Sequence, residues 1–444
     1  MLTWKAADID KIRAGRKRAR EDLIWLAQGP LGYDRVNRRI HGPMTDTLVQ
    51  FKGLKGEDEL SIHDGILEAR WNPEERDIAV ALAHVEKKKR LIMDPRSWFK
   101  TTLNCITHSI QVNLNFPDVG IAIIHANSDA AADIVGNSIK PHYVDNTAFR
   151  WLFPEFCTPW NERSGQYSNS GNMSRFTSPA RTLKFPMATF NALGANSALA
   201  SKHYHWIKFT DIVNEKNALS GDQLLKVTNM YVMADNLLVD PRYFIDVEGT
   251  CYSFVDTYNE HIIEKEEKLA EKDKEFRIFI RGCFVRKGPQ DAKEQFVPDE
   301  RDWPFLIQCP THPAEEGKGY GDERCSVCSA PLVPVSRWPE AWSVASLLKK
   351  RNADTWIFNC QQLNDPSASG DEGKTFPLAA MMWTPELAIQ RIKFRYFSMS
   401  VDLAETVTVR ADYTAMVVMG WDQAGRGYVV DALQGRWLPA DTVD

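Results

Sequence analysis

The stretch LIMDPRSWFKTTLNCITHSIQVNL, residues 91 to 114, decides how this chain is read. Leu91, Ile92 and Met93 have the character of a buried strand. A turn follows, then Lys100-Thr101-Thr102, then a helix start. Strand, loop, Lys-Thr and helix is the layout of a phosphate-binding loop. In such a loop the amides and the positive helix end hold an anion, the lysine adds a point charge, and the hydroxyl can ligate Mg2+. The candidate cradle is Pro95, Arg96, Ser97, Trp98, Phe99, Lys100, Thr101 and Thr102. Two positions depart from the usual pattern. Asp94 stands six residues before the lysine and Phe99 immediately before it, where glycine lets backbone approach phosphate closely. Pro95 also removes an amide donor. A plain strand-turn-helix with a surface lysine would look similar.

Outward from this stretch, strands and helices alternate. Asn72-Pro73 reads as a helix start, and that helix runs through VALAHVEKKK. PDVGIAIIHANSDAAADIV (117 to 135) reads as strand, cap and helix, with Asn127 or Ser128 as the N-cap. TLKFPMATFNAL (182 to 193), YHWIKFTDIV (204 to 213) and RYFIDVEGTCYS (242 to 253) read as further strands. This order predicts an α/β fold with a parallel sheet. Ligands of such sheets bind beyond the carboxyl ends of the strands, where Lys100, Asp211 and Thr250 all fall. Residues 6 to 28 predict one charged amphipathic helix, residues 40 to 65 are turn-rich, and residues 259 to 275 predict a solvated helix. The last three strands, around 395 to 404, 411 to 422 and 425 to 437, follow in quick succession and predict an antiparallel meander.

The chain has 444 residues, long enough for two to four domains. Hydrophobic content of 43% and charged content of 25% are those of an ordinary globular protein. No apolar stretch approaches a membrane span, and the N-terminus lacks an apolar signal core, which predicts a cytosolic protein without membrane partners. The net charge of −5 does not advertise a nucleic-acid binder, so such contact would rest on local basic patches. Lys11, Arg13, Arg16, Lys17, Arg18 and Arg20 form one. The alternative is the solvated face of the N-terminal helix.

Of the eight cysteines, three fall in a spaced set: Cys309-Pro-Thr-His312 and Cys325-Ser-Val-Cys328, with twelve residues between the pairs. Three thiolates and an imidazole suit tetrahedral Zn2+. Four protein ligands leave no open position, so the site would be structural. Coincidental surface cysteines are the alternative.

Taken together, these segments resemble the large subunit of tailed-phage terminases, an ATP-driven DNA-packaging motor with an attached nuclease. MDPRSWFKTT is similar to that family's deviant phosphate loop, in which Pro-Arg precedes the lysine and Phe replaces the last Gly. The resemblance implies that Arg96 is an arginine finger supplied in cis. NALGANSALASKHYHWIKFTDIVNEKN (191 to 217) is similar to the segment leading through the second acidic motif, which normally ends in two carboxylates. Here the pair is Thr210-Asp211. Asp211 matches the catalytic position or serves the metal, and Glu215 is a fallback base. VEGTCYS is similar to the coupling motif, in which Thr250 senses the γ-phosphate. WIFNCQQLNDP (356 to 366) is similar to the segment closing the ATPase region, with no role given to Gln361 or Gln362. VDLAETVTVRADYTA resembles the first strand pair of a ribonuclease-H-like nuclease. Asp402 would be its first metal ligand, with Asp412 and Asp431 as nearby candidates, Asp431 reading rather as an ordinary strand-end residue.

The resemblance implies a P-loop NTPase of ASCE/RecA-like type with a zinc-ribbon-like insertion, followed by the start of an RNase H-like domain. The expected divisions are an N-terminal helical or lid region (1–70), an ATPase domain (71–365) carrying the insertion (305–332), a linker (366–385) and a partial nuclease domain (386–444). Further carboxylates of that nuclease lie downstream in the family, so its centre is expected to be incomplete. Expected cofactors are ATP, Mg2+ and Zn2+. Expected partners are double-stranded DNA, a small terminase subunit, a portal protein and further copies in a ring on the capsid, in the cytoplasm of an infected bacterial host. Two other classes compete: a helicase-like remodelling ATPase, and a non-catalytic zinc-ribbon nucleic-acid-binding protein.

Overall fold

The computed structural model describes residues 3–54, 59–70, 77–168, 171–194, 197, 202–218, 220–253, 255–287, 301, 303, 305–312, 324–366, 389, 391–402 and 414–435. The chain divides into two compact units, Met1–Gly373 and Lys374–Asp444.

The first unit opens with helical segments and a hairpin of β1 (Glu59–His63) and β2 (Ile66–Arg70). Its centre is a seven-stranded sheet. The strands are β3 (Lys89–Met93), β4 (Ile121–His125), β7 (Arg175–Phe176), β8 (Phe190–Gly194), β9 (Trp206–Thr210), β10 (Phe244–Gly249) and β11 (Phe276–Ile280). Between them lies a small hairpin of β5 (Trp160–Asn161) and β6 (Gln166–Tyr167). The sheet order is β11-β3-β10-β9-β4-β8-β7. Every pairing is parallel except β7 with β8. The predicted α/β sheet is therefore present.

The strand sequences explain the layering. Successive side chains point to opposite faces, and helices cover both, so the strands are nearly continuous apolar runs. On β4, Ile121 and Ile123 enter the core cluster that holds Ile106, Ile110, Trp206 and Phe244. Ala122 and Ile124 enter the other, with Leu91, Met93, Phe209 and Val247.

Several local expectations are corrected. The N-terminal helix is broken: Ile9–Glu21 ends at Asp22, whose extended backbone and side chain cap a second helix, Leu23–Gln28, by accepting from Trp25 N at 3.1 Å. Its basic face is not wholly solvated. Arg16 and Arg20 are buried, and they bind Glu155 and the Leu114 carbonyl respectively. Within the stretch read as turns, Arg38–Thr45 is helical despite Pro43, with Asn37 as its cap. The expected helix through VALAHVEKKK is four residues, Ile78–Ala81, because the chain must already enter β3 at Lys89. Its proposed start at Asn72-Pro73 lies outside the described residues. Of TLKFPMATFNAL only the end is strand, from Phe190. The charged helix is short, Asn259–Ile263 continuing as Glu264–Glu267, and it buries Ile262, Ile263 and Glu266. The Asn127-capped helix Ser128–Asp133 follows β4 as expected.

A pair of two-residue strands, β12 (Ile307–Gln308) and β13 (Val333–Pro334), closes the neck of the cysteine-bearing excursion. In the second unit, β14 (Phe394–Asp402), β15 (Thr414–Asp422) and β16 (Gly427–Gly435) form the expected antiparallel meander. Most of the stretch read as a linker, and Asp412, lie outside the described residues.

Candidate functional site

The loop after β3 is held by side chains where glycines were expected. Asp94 is fully buried and forms a bidentate pair with Arg281, at 2.6 and 2.9 Å. Trp98 turns its side chain fully into the core, edge-on to Trp338 at 5.7 Å between ring centroids. It lines no part of the cavity described below, unlike the other residues of the candidate cradle. Phe99 packs on His41 and Trp338. The turn still demands left-handed backbone: φ is +71° at Ser97 and +60° at Phe99. L-residues adopt this region at a cost on the order of 1 kcal/mol, repaid here by the packing of Trp98 and Phe99. Helix Thr102–His108, with wide π-type turns, continues as Ser109–Asn115.

A cavity of about 610 Å³ opens beside this loop. Pro95, Arg96, Ser97, Phe99, Lys100, Thr101 and Thr102 line one side, and Asp211, Glu215, Lys216, Thr250, Tyr252 and His125 are among the residues lining the rest. The three strand ends singled out in sequence thus meet at one cavity. Lys100 Nζ donates to the Gly249 carbonyl at 2.7 Å and stands 3.6 Å from Asp211 Oδ1. Gly249 must be glycine, because a Cβ there would collide with the Tyr258 hydroxyl. Asp211 itself has φ +44°. Arg96 is exposed at the rim, while its backbone N–H donates to the Gln361 carbonyl at 2.8 Å.

Glu215 accepts from Tyr252 Oη at 3.1 Å, and Gln361 Nε2 donates to the same oxygen at 3.0 Å. Gln361 and Gln362, given no role from sequence, thus brace the loop from behind; Gln362 Nε2 donates to the Arg96 carbonyl at 3.4 Å.

Sequence reasoning missed the polar layer beneath the cavity. Thr210 occupies the place of the expected second carboxylate, and its Oγ1 donates to Glu248 Oε1 at 2.7 Å. Asn104 Nδ2 donates to Glu248 Oε2 at 2.9 Å. Burial raises the Glu248 carboxyl above its usual value, opposed by the nearby Lys100 ammonium. Deeper still, Lys208 Nζ contacts Asp246 Oδ2 at 2.6 Å, Asn104 Oδ1 at 2.8 Å and His108 Nδ1 at 2.9 Å. Burial and the Lys208 charge hold His108 neutral, well below its ordinary value.

Among the groups facing this cavity, Arg96, Lys100, Thr101 and Asp211 are of the kinds that can grip a polyphosphate together with a hard divalent cation. The oxygen donors Thr101 and Asp211 suit Mg2+ chemically.

The second site is the cysteine cluster. The ligand atoms of Cys309, His312, Cys325 and Cys328 all lie within 4.8 Å of one another, so the cluster could hold a metal ion. Neighbouring separations are 3.6 to 3.7 Å. A tetrahedral ion with bonds of about 2.3 Å to sulfur spaces its ligands by roughly 3.7 Å. Partial desolvation works against Cys309 ionising, but the amides of Thr311 and His312 outweigh it and hold the thiol down at about 6. The second knuckle closes through Ser329, at φ +57°, with Cys325 N donating to the Ala330 carbonyl at 2.9 Å.

Asp402 ends β14 on the second unit and is exposed. Asp431 is exposed on β16, opposite Val418, whereas Asp402 lies opposite Ala415. Three residues of register set them roughly 10 Å apart along the strands, too far to share a metal pair.

Among the described residues, no helix is long and apolar enough to cross a membrane. No family model matches this chain, and no curated protein matches it as a relative.

Proposed function

We propose that the first unit is an ATPase of the P-loop class, and that the chain is the motor subunit of a viral DNA-packaging machine, similar to large terminase subunits. The observation that carries the reading is the meeting of Lys100, Thr101, Arg96, Asp211 and Thr250 around one cavity. The strand bearing the phosphate loop is separated by β10 from the strand bearing Asp211, with Thr250 following β10 between them. That order supports an ASCE/RecA-like sheet.

In this reading the loop amides and Lys100 hold the outer phosphates. Thr101 and Asp211 hold Mg2+, which neutralises phosphate charge when bound. Arg96, at the exposed rim, swings over the transferring phosphoryl group and stabilises its charge. Asp211 orients the attacking water where Mg2+ leaves it free, with Glu215 as the other acidic group of the cavity. Thr250 reads the terminal phosphate. Zn2+ staples the excursion through Cys309, His312, Cys325 and Cys328. The second unit belongs to an RNase H-like nuclease with Asp402 as a metal ligand. Double-stranded DNA, a small terminase subunit, a portal and other copies of the chain are its partners, in the cytoplasm of an infected bacterium.

The test is Mg2+-dependent ATP hydrolysis with Lys100→Ala. The variant is expected to lose on the order of 100-fold or more in kcat while remaining folded. Undiminished hydrolysis would remove the site.

A further inference from the structure

His125 is the last residue of β4, beside β9 in the sheet, and in the parallel register it stands opposite Thr210. It therefore reaches the cavity just beyond Asp211 as seen from the Lys100 side, and it lines that cavity. Its ring is fixed by a local contact. The backbone N–H of Asn127 donates to His125 Nδ1 at 2.9 Å. A backbone amide can only donate, so Nδ1 is the acceptor and the neutral ring carries its proton on Nε2. Burial holds the ring neutral, opposed by the nearby Asp211 charge. Among the described residues, no acceptor for the Nε2–H is found. The imidazole therefore offers a fixed donor to whatever occupies this end of the cavity, and it cannot take a proton from water through Nε2.

We propose that His125 Nε2–H is a hydrogen-bond donor to the terminal phosphoryl group of the bound nucleotide, so that it distinguishes a nucleoside triphosphate from a diphosphate. This rests on the ATPase reading and adds to it a residue that no motif predicts. In the sheet order the phosphate loop, Thr250, Asp211 and His125 follow β3, β10, β9 and β4. A polyphosphate anchored at Lys100 and directed at Asp211 brings only its last phosphoryl group within reach of β4.

The test compares affinities for a non-hydrolysable ATP analogue and for ADP, both with Mg2+, by titration calorimetry. His125→Asn retains an acceptor for the Asn127 amide but loses the donor at the Nε2 position. It is expected to weaken the triphosphate roughly tenfold or more and to leave ADP within about twofold. His125→Gln places an amide N–H near the old Nε2 position and is expected to recover most of the preference. Equal loss for both nucleotides, an unchanged ratio in His125→Asn, or no recovery in His125→Gln each overturns the proposal. Lys100→Ala serves as the control: if it still binds both nucleotides normally, the ATPase reading itself fails. Thermal melts of each variant exclude unfolding as the cause.

Discussion

Asp246 and Glu248 stand two residues apart on one face of β10, both fully buried, and are joined through Lys208 and Asn104. The fold treats the two acids oppositely. Asp246 meets Lys208 and Arg90, at 2.6 and 3.6 Å, and also accepts from Trp206 Nε1. Glu248 meets only neutral donors directly, with the Lys100 ammonium further off. One end of the layer is thus an ion pair, and the end under the loop after β3 is a carboxylate with little to offset its desolvation.

The Asp246 carboxyl should therefore make folding acid-sensitive. Burial alone would raise it, but the Lys208 and Arg90 charges outweigh burial and hold it down from 3.8 to about 2. A depressed folded value stabilises the fold above the unfolded value and loses that contribution as pH falls through the folded one. The expected effect is a loss of about 2 kcal/mol between about pH 4 and pH 2. Urea unfolding of wild type across that range checks it. Asp246→Asn should flatten this part of the slope while lowering stability at neutral pH, since it leaves Lys208 buried without its counter-charge.

Glu248 has the opposite sign. Its folded value is raised, so its contribution is fully present below the unfolded value and is lost as pH rises through the folded one. Glu248→Gln cannot ionise. Relative to wild type it should gain stability as pH rises from 4 to 7, and Glu248→Ala should lose about 2 to 4 kcal/mol throughout, from stranded donors on Asn104 and Thr210. A pH-independent gap between wild type and Glu248→Gln would refute the assignment.

What could be read from the sequence was local. Leu91 to Thr102 announce strand, turn and helix within twelve residues, and the alternation of elements announces the parallel sheet. The spacing of Cys309, His312, Cys325 and Cys328 likewise carries its own geometry. What was missed depends on distant partners. Asp94 reads as a defect until Arg281 is beside it, 187 residues on. Arg16 and Arg20 read as surface charge until Glu155 and the Leu114 carbonyl close over them. Two signals were nonetheless available. Asp246 and Glu248 punctuate an otherwise apolar strand at a spacing of two, which points both inward. His125 ends β4 at its carboxyl end, by the same rule that singled out Asp211 and Thr250.

The cysteine cluster should bind Zn2+ in the purified chain, about one ion per molecule by elemental analysis. Because the ligands come from two knuckles, metal and local fold are coupled. Cys309→Ser or prolonged chelation should release the ion and open residues 305–338 to limited proteolysis. A chain that keeps its proteolytic pattern after complete metal loss would show that the knuckles fold without it.

Asp94→Gly restores the residue a phosphate loop usually has at this position, and should harm the protein. Asp94 has no left-handed backbone for glycine to relieve. Its carboxylate is the counter-charge of Arg281, which is 5% exposed, donates to the Ile40 carbonyl at 2.7 Å and lies over the Phe279 and Trp98 rings. Removing one partner of a buried pair leaves an uncompensated charge and costs about 3–5 kcal/mol. The loop is pinned through the same region, since Ile40 packs with Trp98, Trp338 and Leu363. The expected result is a lower melting temperature together with weaker nucleotide binding. Arg281→Met in the Asp94→Gly background should recover much of the stability, because no buried charge is then left alone. If Asp94→Gly were as stable as wild type, the ion pair would not be what replaces glycine in holding this loop.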